Sequence, residues 1–302
     1  MNIKRRLFST LLCVAALTAG LFVSGCGSDK AGSIGSVVSS VVDGGSDEKA
    51  AAKLNTLIDA TNRFNGDNAT WGQNYADSLA KLKGGFQEGA IGRQPHYDTL
   101  KDALEKSKKE GSTFKEVDTE RDNVLNILNE LVPTFKDLKA YDDSKAYMND
   151  GGAKGKELAA KYVAQVEKFD AAYAKFNDAL NKANTEQTKK QIEKLKKDGK
   201  KGYAAAMEST LRLTTLVENV EKAPKNADKQ AVEKELNEIQ TLLKSINNDR
   251  GEVLVNSYNS VVGSVRQVLT DANENNLNDM IENFNNYIES YNNTTPDQFD
   301  SK

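Results

Sequence analysis

The stretch ELAAKYVAQVEKFDAAYAKFNDAL, residues 157–180, decides the fold. Its large apolar residues recur at steps of four and three: Leu158, Tyr162, Val166, Phe169, Tyr173, Phe176 and Leu180. This spacing places them on one side of an α-helix, while the charged residues between them fall on the opposite side. A half-buried strand would alternate apolar and polar residues, and this stretch does not. It therefore predicts an amphipathic helix.

The same helical period continues through most of the chain. Apolar stripes recur in the segments 125–138, 207–217, 232–246, 254–269 and 277–291, and no window between Glu48 and Asn292 keeps a period of two. Short segments rich in Gly, Asn and Pro separate the stripes, and connections of this length mostly join antiparallel neighbours. The sequence predicts an all-α fold, an elongated antiparallel bundle of about five to eight helices. Pro133 predicts a kinked or interrupted helix.

The first residues show the three zones of an export signal. MNIKRR carries three positive charges, the run from Leu7 to Val23 is nearly all apolar, and SGC supplies small residues at a cleavage point. The apolar run is shorter than the roughly twenty residues that a transmembrane helix needs. An uncleaved anchor and a cytosolic protein with an apolar start are the alternatives, and they fit these zones less well.

Residues 23–26, VSGC, resemble the lipobox of bacterial lipoproteins. In those proteins the cysteine thiol is joined to diacylglycerol, and the chain is then cut before that cysteine. The resemblance makes Cys26 the predicted lipidation site and residues 1–25 a cleaved lipoprotein signal peptide. The membrane would then be the first partner of the chain, through a diacylglyceryl-cysteine at its N-terminus.

Residues 26–47 are predicted to be a lipidated cysteine followed by a tether. The segment is rich in Gly and Ser and has little apolar surface to offset the entropy of ordering. Cleavage would remove Cys13 and three positive charges, so the formal net charge would change from −3 to −6. Lysines are interleaved with Asp and Glu along the chain, which argues against a nucleic-acid partner.

These observations together predict a membrane-anchored protein of the cell envelope. It would face the periplasm or another extracytoplasmic side as a monomer, with a helical domain over residues 48–295 and a disordered tail over residues 296–302.

Catalytic and metal-binding patterns based on histidine or cysteine are missing from the sequence. His96 is the only histidine, so no histidine-based zinc site, Ser-His-Asp triad or Cys-His pair can be assembled. Paired carboxylates such as Asp142 and Asp143 are typical of solvated helix ends. No catalytic residue and no cofactor is predicted.

One segment, DANENNLNDMIE over residues 271–282, fits a calcium loop by spacing. Oxygen-bearing side chains occupy its positions one, three, five, nine and twelve: Asp271, Asn273, Asn275, Asp279 and Glu282. Position six is Asn276, where the sharp turn of such a loop requires glycine. We expect a joint between two helices whose Asp and Asn residues cap the second helix, and calcium binding is the alternative.

Three aromatic residues are the candidate ligand contacts: Trp71, Tyr75 and Tyr97. Tryptophan and tyrosine can stack on sugars or anchor a protein partner. At helical spacing such residues are more often part of a core. Trp71 stands out because it follows a possible helix break at Gly66.

Three long segments, residues 145–184, 188–220 and 258–293, carry a resemblance to a known family. They begin KAYMNDGGAKGKEL, TKKQIEKLKKDGKK and YNSVVGSVRQVLTD, and their Tyr/Asn and Ala/Lys-Gly-Lys patterns resemble the YiiG-like lipoproteins. That family has a C-terminal domain of unknown function, and its members share the lipobox, the low-complexity tether and the helical body. The resemblance covers roughly residues 55–292. It implies anchoring and fold class, and it implies no chemistry.

Two classes of function are compatible with these features. The first is a non-catalytic binding or scaffolding module of the envelope, which contacts an unknown envelope protein or glycan through grooves between helices. The second is an envelope enzyme that acts on cell-wall glycan through carboxylates alone, and it requires two carboxylates roughly 5–9 Å apart in a cleft.

Overall fold

The computed structural model describes residues 47–69, 72–92, 94–111 and 114–301. Every regular element in these ranges is helical, which confirms the all-α prediction. The helices are α1 Asp47–Ala69, α2 Gly72–Lys83, α3 Tyr97–Lys109, α4 Lys115–Asp143, α5 Tyr147–Asp150, α6 Ala153–Lys197, α7 Lys201–Lys222, α8 Lys229–Lys244, α9 Asp249–Thr270, α10 Glu274–Asn292 and α11 Pro296–Phe299. A 3-10 turn, Pro224–Asn226, connects α7 to α8.

The described part of the chain holds more helices than the five to eight that were predicted. Two of the additional breaks are short turns at Gly111, after α3, and at Gly199, after α6. Both glycines have a positive φ, 87° and 78°, which is the left-handed conformation that commonly ends a helix. Neither turn carries the cluster of Gly, Pro and Asn by which the longer loops can be recognised in the sequence.

The described helices form two compact units, residues 47–183 and residues 184–301. The single helical domain predicted for residues 48–295 is therefore divided. Helix α6 belongs to both units: its residues up to Ala183 pack in the first unit, and those from Asn184 onward pack in the second.

The first unit is an up-and-down arrangement of α1, α3, α4 and the first part of α6. Contacts between helix ends show that neighbours are antiparallel, since the start of each helix meets the end of the next. They are Lys108–Asp122 and Lys136–Asp98 between α3 and α4, Lys182–Glu116 and Phe135–Tyr162 between α4 and α6, and Phe64–Tyr97 between α1 and α3. Buried leucines of these helices fill the interior, among them Leu54, Leu100, Leu104, Leu128 and Leu131.

The second unit is built from α7, α8, α9 and α10, with the last turns of α6 packed on their core. Successive helices contact each other, and α10 returns to α7, where the hydroxyls of Thr210 and Tyr287 lie 3.0 Å apart. Arg212 of α7 binds Glu235 of α8, and Glu233 of α8 binds Arg266 of α9. The antiparallel packing predicted from short connections is confirmed within each unit.

Helix α4 passes through Pro133 without interruption, so of the two predicted outcomes, a kink or an interruption, the interruption does not occur. Proline lacks the N–H that would bond to the carbonyl of Asn129, four residues earlier. Both Pro133 and Asn129 are exposed, so solvent can satisfy that carbonyl.

The end of the chain is ordered, so the prediction of a disordered tail over residues 296–302 is wrong for residues 296–301. Phe299 in α11 is 2% exposed, and its ring stacks on Tyr203 and on Tyr291. The Asp300 carboxylate accepts a hydrogen bond of 2.7 Å from the backbone N–H of Gly202, in the first turn of α7. We call residues 296–301 the C-terminal clip, because they join the start of α7 to the end of α10.

The clip is also bonded to α9. The Asn248 side chain caps α9 by accepting from the backbone N–H groups of Arg250 and Gly251. Its amide nitrogen, which has two hydrogens to donate, lies within 3.1 Å of three carbonyl oxygens of the clip, those of Gln298, Phe299 and Ser301. One side chain therefore satisfies polar groups of both a helix start and the clip.

The predicted signal peptide and nearly all of the predicted tether lie outside the described residues, and so does Cys26. Among the helices that the structure describes, none has the length and apolar character needed to cross a membrane.

Candidate functional site

The loop between α2 and α3 is fixed to the first unit at several points. Ser78 of α2 makes two of these bonds: its hydroxyl donates to the Ala90 carbonyl at 2.6 Å and accepts from the Gly92 N–H at 2.8 Å. The Tyr162 hydroxyl of α6 donates to the side-chain carbonyl of Gln94. A loop held by its backbone in this way presents its peptide groups in a preformed geometry.

Glycine allows the loop to lie this close to α2. A Cβ atom on Gly92 would come within 3.1 Å of the Ser78 Cβ, which is closer than ordinary van der Waals contact. Gly89 has a φ of 68°, a left-handed conformation that glycine adopts without strain.

A cleft lies where this loop meets α2, and we call it the α2 cleft. Its lining is polar or small: Asn74, Asp77, Ser78, Lys81, Gly89, Ala90 and Gly92. Asp77 and Lys81 are exposed and stand one helical turn apart. The cleft therefore offers a carboxylate, an ammonium group, the amide of Asn74 and loop peptide groups, a set suited to a polar ligand.

Tyr75 and Tyr97, two of the predicted ligand contacts, lie in the core of the first unit. Each is 4% exposed, and their hydroxyls lie 2.9 Å apart. Burial raises the pKa of both phenols, so both stay protonated. Neither is exposed to contact a ligand; both are core residues, the alternative that helical spacing favours, and each hydroxyl gives the other the partner that makes burial tolerable. The third, Trp71, lies outside the described residues.

Asp170 of α6 lies beside this tyrosine pair. Burial raises the pKa of its carboxyl group to about 6; the positive charge of Lys83 counteracts this, and the negative charge of Glu167 adds to it. Asp170 in turn raises the pKa of Tyr75 and Tyr97. Asp170 is thus an acid that takes up a proton just below neutral pH.

The five residues of the predicted calcium pattern do not share one loop. Asn273 caps α10 by accepting from the Asn276 N–H at 2.9 Å, and Asn276 donates to the Asp271 carbonyl at 2.7 Å. The other three, Asn275, Asp279 and Glu282, lie within α10. The expected capped joint between two helices is confirmed. In the part of the chain that the structure describes, no three His, Cys, Asp or Glu side chains are grouped to hold a metal ion.

Sequence reasoning missed the residues that build the site. Ser78 and Gln94 bond to groups in a loop and in α6, and no spacing in the sequence marks such partners. In the sequence, Asp170 is indistinguishable from the other charged residues of an amphipathic helix, because its burial depends on how neighbouring helices pack. In the sequence, the Gly-rich segment 84–92 indicates a loop and nothing about a binding site.

Most of the chain matches one protein family. Residues 48–293 match the model of a family described as a protein of unknown function, DUF3829. The chain belongs to the DUF3829 family. The match takes in nearly all of α1 and the whole of α2 to α10, so it covers most of both units of this DUF3829 protein, whereas residues 1–47 and α11 lie outside. No curated protein and no solved structure matches this DUF3829 chain.

Proposed function

We propose that this DUF3829 protein is a lipid-anchored binding or scaffolding module of the cell envelope, related to the YiiG-like lipoproteins. The observation that carries the proposal is the sequence VSGC at residues 23–26, which follows a charged start and an apolar run. Cys26 would become the first residue of the mature protein and bear diacylglycerol. The chain would then be held at a membrane, facing the periplasm or another extracytoplasmic side.

The length of the tether supports this role. Twenty residues separate Cys26 from Asp47, the first residue of α1. A flexible chain of that length spans about 25 Å, which is enough to hold a helical body clear of the lipid headgroups.

The α2 cleft is the proposed binding site. Its loop is fixed by Ser78 and Gln94 before any ligand arrives, so little conformational entropy is lost on binding. Its carboxylate, ammonium and amide groups suit an envelope protein or a glycan better than an apolar molecule.

Photo-cross-linking in intact cells tests this site. A photoreactive residue would be placed at Lys81, in the cleft, and in a second variant at Lys161, which is exposed on α6 of the same unit. We expect a discrete cross-linked species from position 81 that is absent from position 161 and that is lost on Asp77→Ala. Identical patterns from both positions would reject the cleft as the binding site.

A carboxylate-based enzyme is the second candidate, and Asp170 is the observation that favours it. Its pKa of about 6 suits a general acid, and Glu167 lies one helical turn away on the same helix. Purified protein should then release soluble fragments from cell-wall glycan, and Asp170→Asn should abolish the release. No release by the wild-type protein would reject the enzyme.

A further inference from the structure

The end of α6 and the start of α7 carry a local excess of positive charge, although the net charge of the whole chain is negative. Residues 186–201 read EQTKKQIEKLKKDGKK and hold seven lysines against three acidic residues. All of them belong to the second unit. This contrasts with the negative formal charge of the complete chain, −3.

Two of the seven lysines are neutralised within the unit. Lys196 pairs with Glu193 at 3.2 Å and with Glu208 at 2.9 Å. Lys200 pairs with Asp297 of the C-terminal clip at 2.8 Å. Of the three acidic residues of the segment, only Glu193 is used in these pairs, so five lysines remain against Glu186 and Asp198.

The other five lysines are exposed and form no ion pair with any residue that the structure describes. We call them the lysine face: Lys189, Lys190, Lys194, Lys197 and Lys201. Three of them, Lys190, Lys194 and Lys197, follow each other at steps of four and three, so they lie on one side of α6. The opposite side of α6 bears Ile192 and Leu195, which pack in the core of the unit.

Helix electrostatics accounts for only part of the lysine face. Lys194 and Lys197 lie in the last turn of α6, where the helix dipole favours positive charge. Lys201 is the first residue of α7, where the dipole disfavours a cation. Neither ion pairs nor the helix dipole therefore account for the positive charges of Lys189, Lys190 and Lys201.

We propose that the lysine face docks on the anionic headgroups of the membrane that holds the lipid anchor. This inference rests on the proposed function for its setting, because the anchor would keep the lysine face at high local concentration near that surface. Clusters of four to eight basic residues are typical of segments that bind anionic lipid. Docking through one end of the second unit would give a tethered protein a fixed orientation.

Vesicle binding by the lipid-free mature chain tests the lysine face independently of the anchor. The protein would be residues 26–302 with Cys26→Ser, and the probes would be vesicles of phosphatidylcholine alone and of phosphatidylcholine with phosphatidylglycerol. The test variant is Lys190→Gln, Lys194→Gln and Lys197→Gln combined. The matched control changes Lys161, Lys168 and Lys175 to Gln, since these lysines are also exposed on α6 and form no ion pair with described residues.

We expect binding to the anionic vesicles only, weakened as ionic strength rises toward about 0.15 M because salt screens the charges. The test variant should bind on the order of 100-fold more weakly, since each lysine near an anionic surface contributes about fivefold in affinity. The control variant should bind like the wild type, and both should keep the wild-type circular dichroism spectrum.

Three results would overturn the inference: no binding to anionic vesicles at low salt, equal loss in the two variants, or tighter binding to duplex DNA than to the vesicles. If the lipid-free chain binds anionic vesicles but Cys26 is found unmodified in cells, the lysine face is supported and the lipid anchor is rejected. The two proposals can therefore fail separately.

Discussion

Removal of the Phe299 ring should destabilise the second unit strongly. The ring is 2% exposed, and its centroid lies 5.8 Å from that of Tyr203 and 5.9 Å from that of Tyr291. Replacement of a buried phenylalanine by alanine typically costs 3–5 kcal/mol, because apolar contacts are lost and a cavity remains. That is a large fraction of the roughly 5–15 kcal/mol by which folded proteins are stable.

Urea unfolding followed by circular dichroism measures this cost. With a denaturant dependence of about 2 kcal/mol per molar urea, a loss of 3–5 kcal/mol lowers the midpoint of the second unit by roughly 2 M. Hydrogen exchange locates the change, since amides in the first turn of α7 should lose protection while those of α4 keep it. Asp300→Ala should give a smaller loss of about 1 kcal/mol, the usual value for a helix N-cap.

The matched control is Met148→Ala. Met148 is 76% exposed and belongs to the first unit, so its loss should change stability by less than about 0.5 kcal/mol. If Phe299→Ala unfolds at the same urea concentration as the wild type and the control, and α7 keeps its protection, the C-terminal clip does not stabilise the unit and our reasoning fails.

Two further predictions concern charge burial and close packing. Burial raises the pKa of Asp170 to about 6, so the folded protein holds the proton on this carboxyl group more tightly than the unfolded chain does. The stability that the protonated carboxyl group contributes is complete below about pH 4 and is lost as pH rises through 6. Asp170→Asn should therefore raise the unfolding free energy by up to about 3 kcal/mol at pH 8 and hardly at all at pH 4. An equal effect at both values, measured by urea titration, would contradict this. Gly263→Ala should raise the melting temperature, because nothing lies within 4 Å of the added Cβ and alanine favours a helix by about 1 kcal/mol relative to glycine. Gly202→Ala should lower the melting temperature, because its Cβ would lie 2.0 Å from the carbonyl oxygen of Phe299. Shifts of the same sign would refute the close packing of the clip.

The fold class was predictable because helical periodicity is a local property. The apolar stripe from Leu158 to Leu180 predicts a helix without any knowledge of which helices pack against it, and the structure confirms this stretch as part of α6. The division into two units was not predictable, because α6 continues through Ala183 and Asn184 with no change of period. Periodicity shows which side of a helix is buried and not which helix covers it.

The site and the C-terminal clip depend on contacts that are distant in sequence. The last residues, TTPDQFDSK, are polar except for Pro296 and one aromatic ring, so composition indicates a disordered tail. Phe299 is ordered because Tyr203, almost a hundred residues earlier, lies against it. The same reason explains why the sequence leaves open whether Tyr75 and Tyr97 contact a ligand or lie in the core: the partner of each hydroxyl lies on the other helix, α2 or α3.

The mass of the N-terminal peptide of the mature protein, isolated from membranes, tests the account most directly. We expect a peptide that begins at Cys26 and carries diacylglycerol on its sulfur, and Cys26→Ser should leave residues 1–25 attached. An N-terminus at any other residue, or an unmodified Cys26, would contradict the lipid anchor on which the proposed function depends.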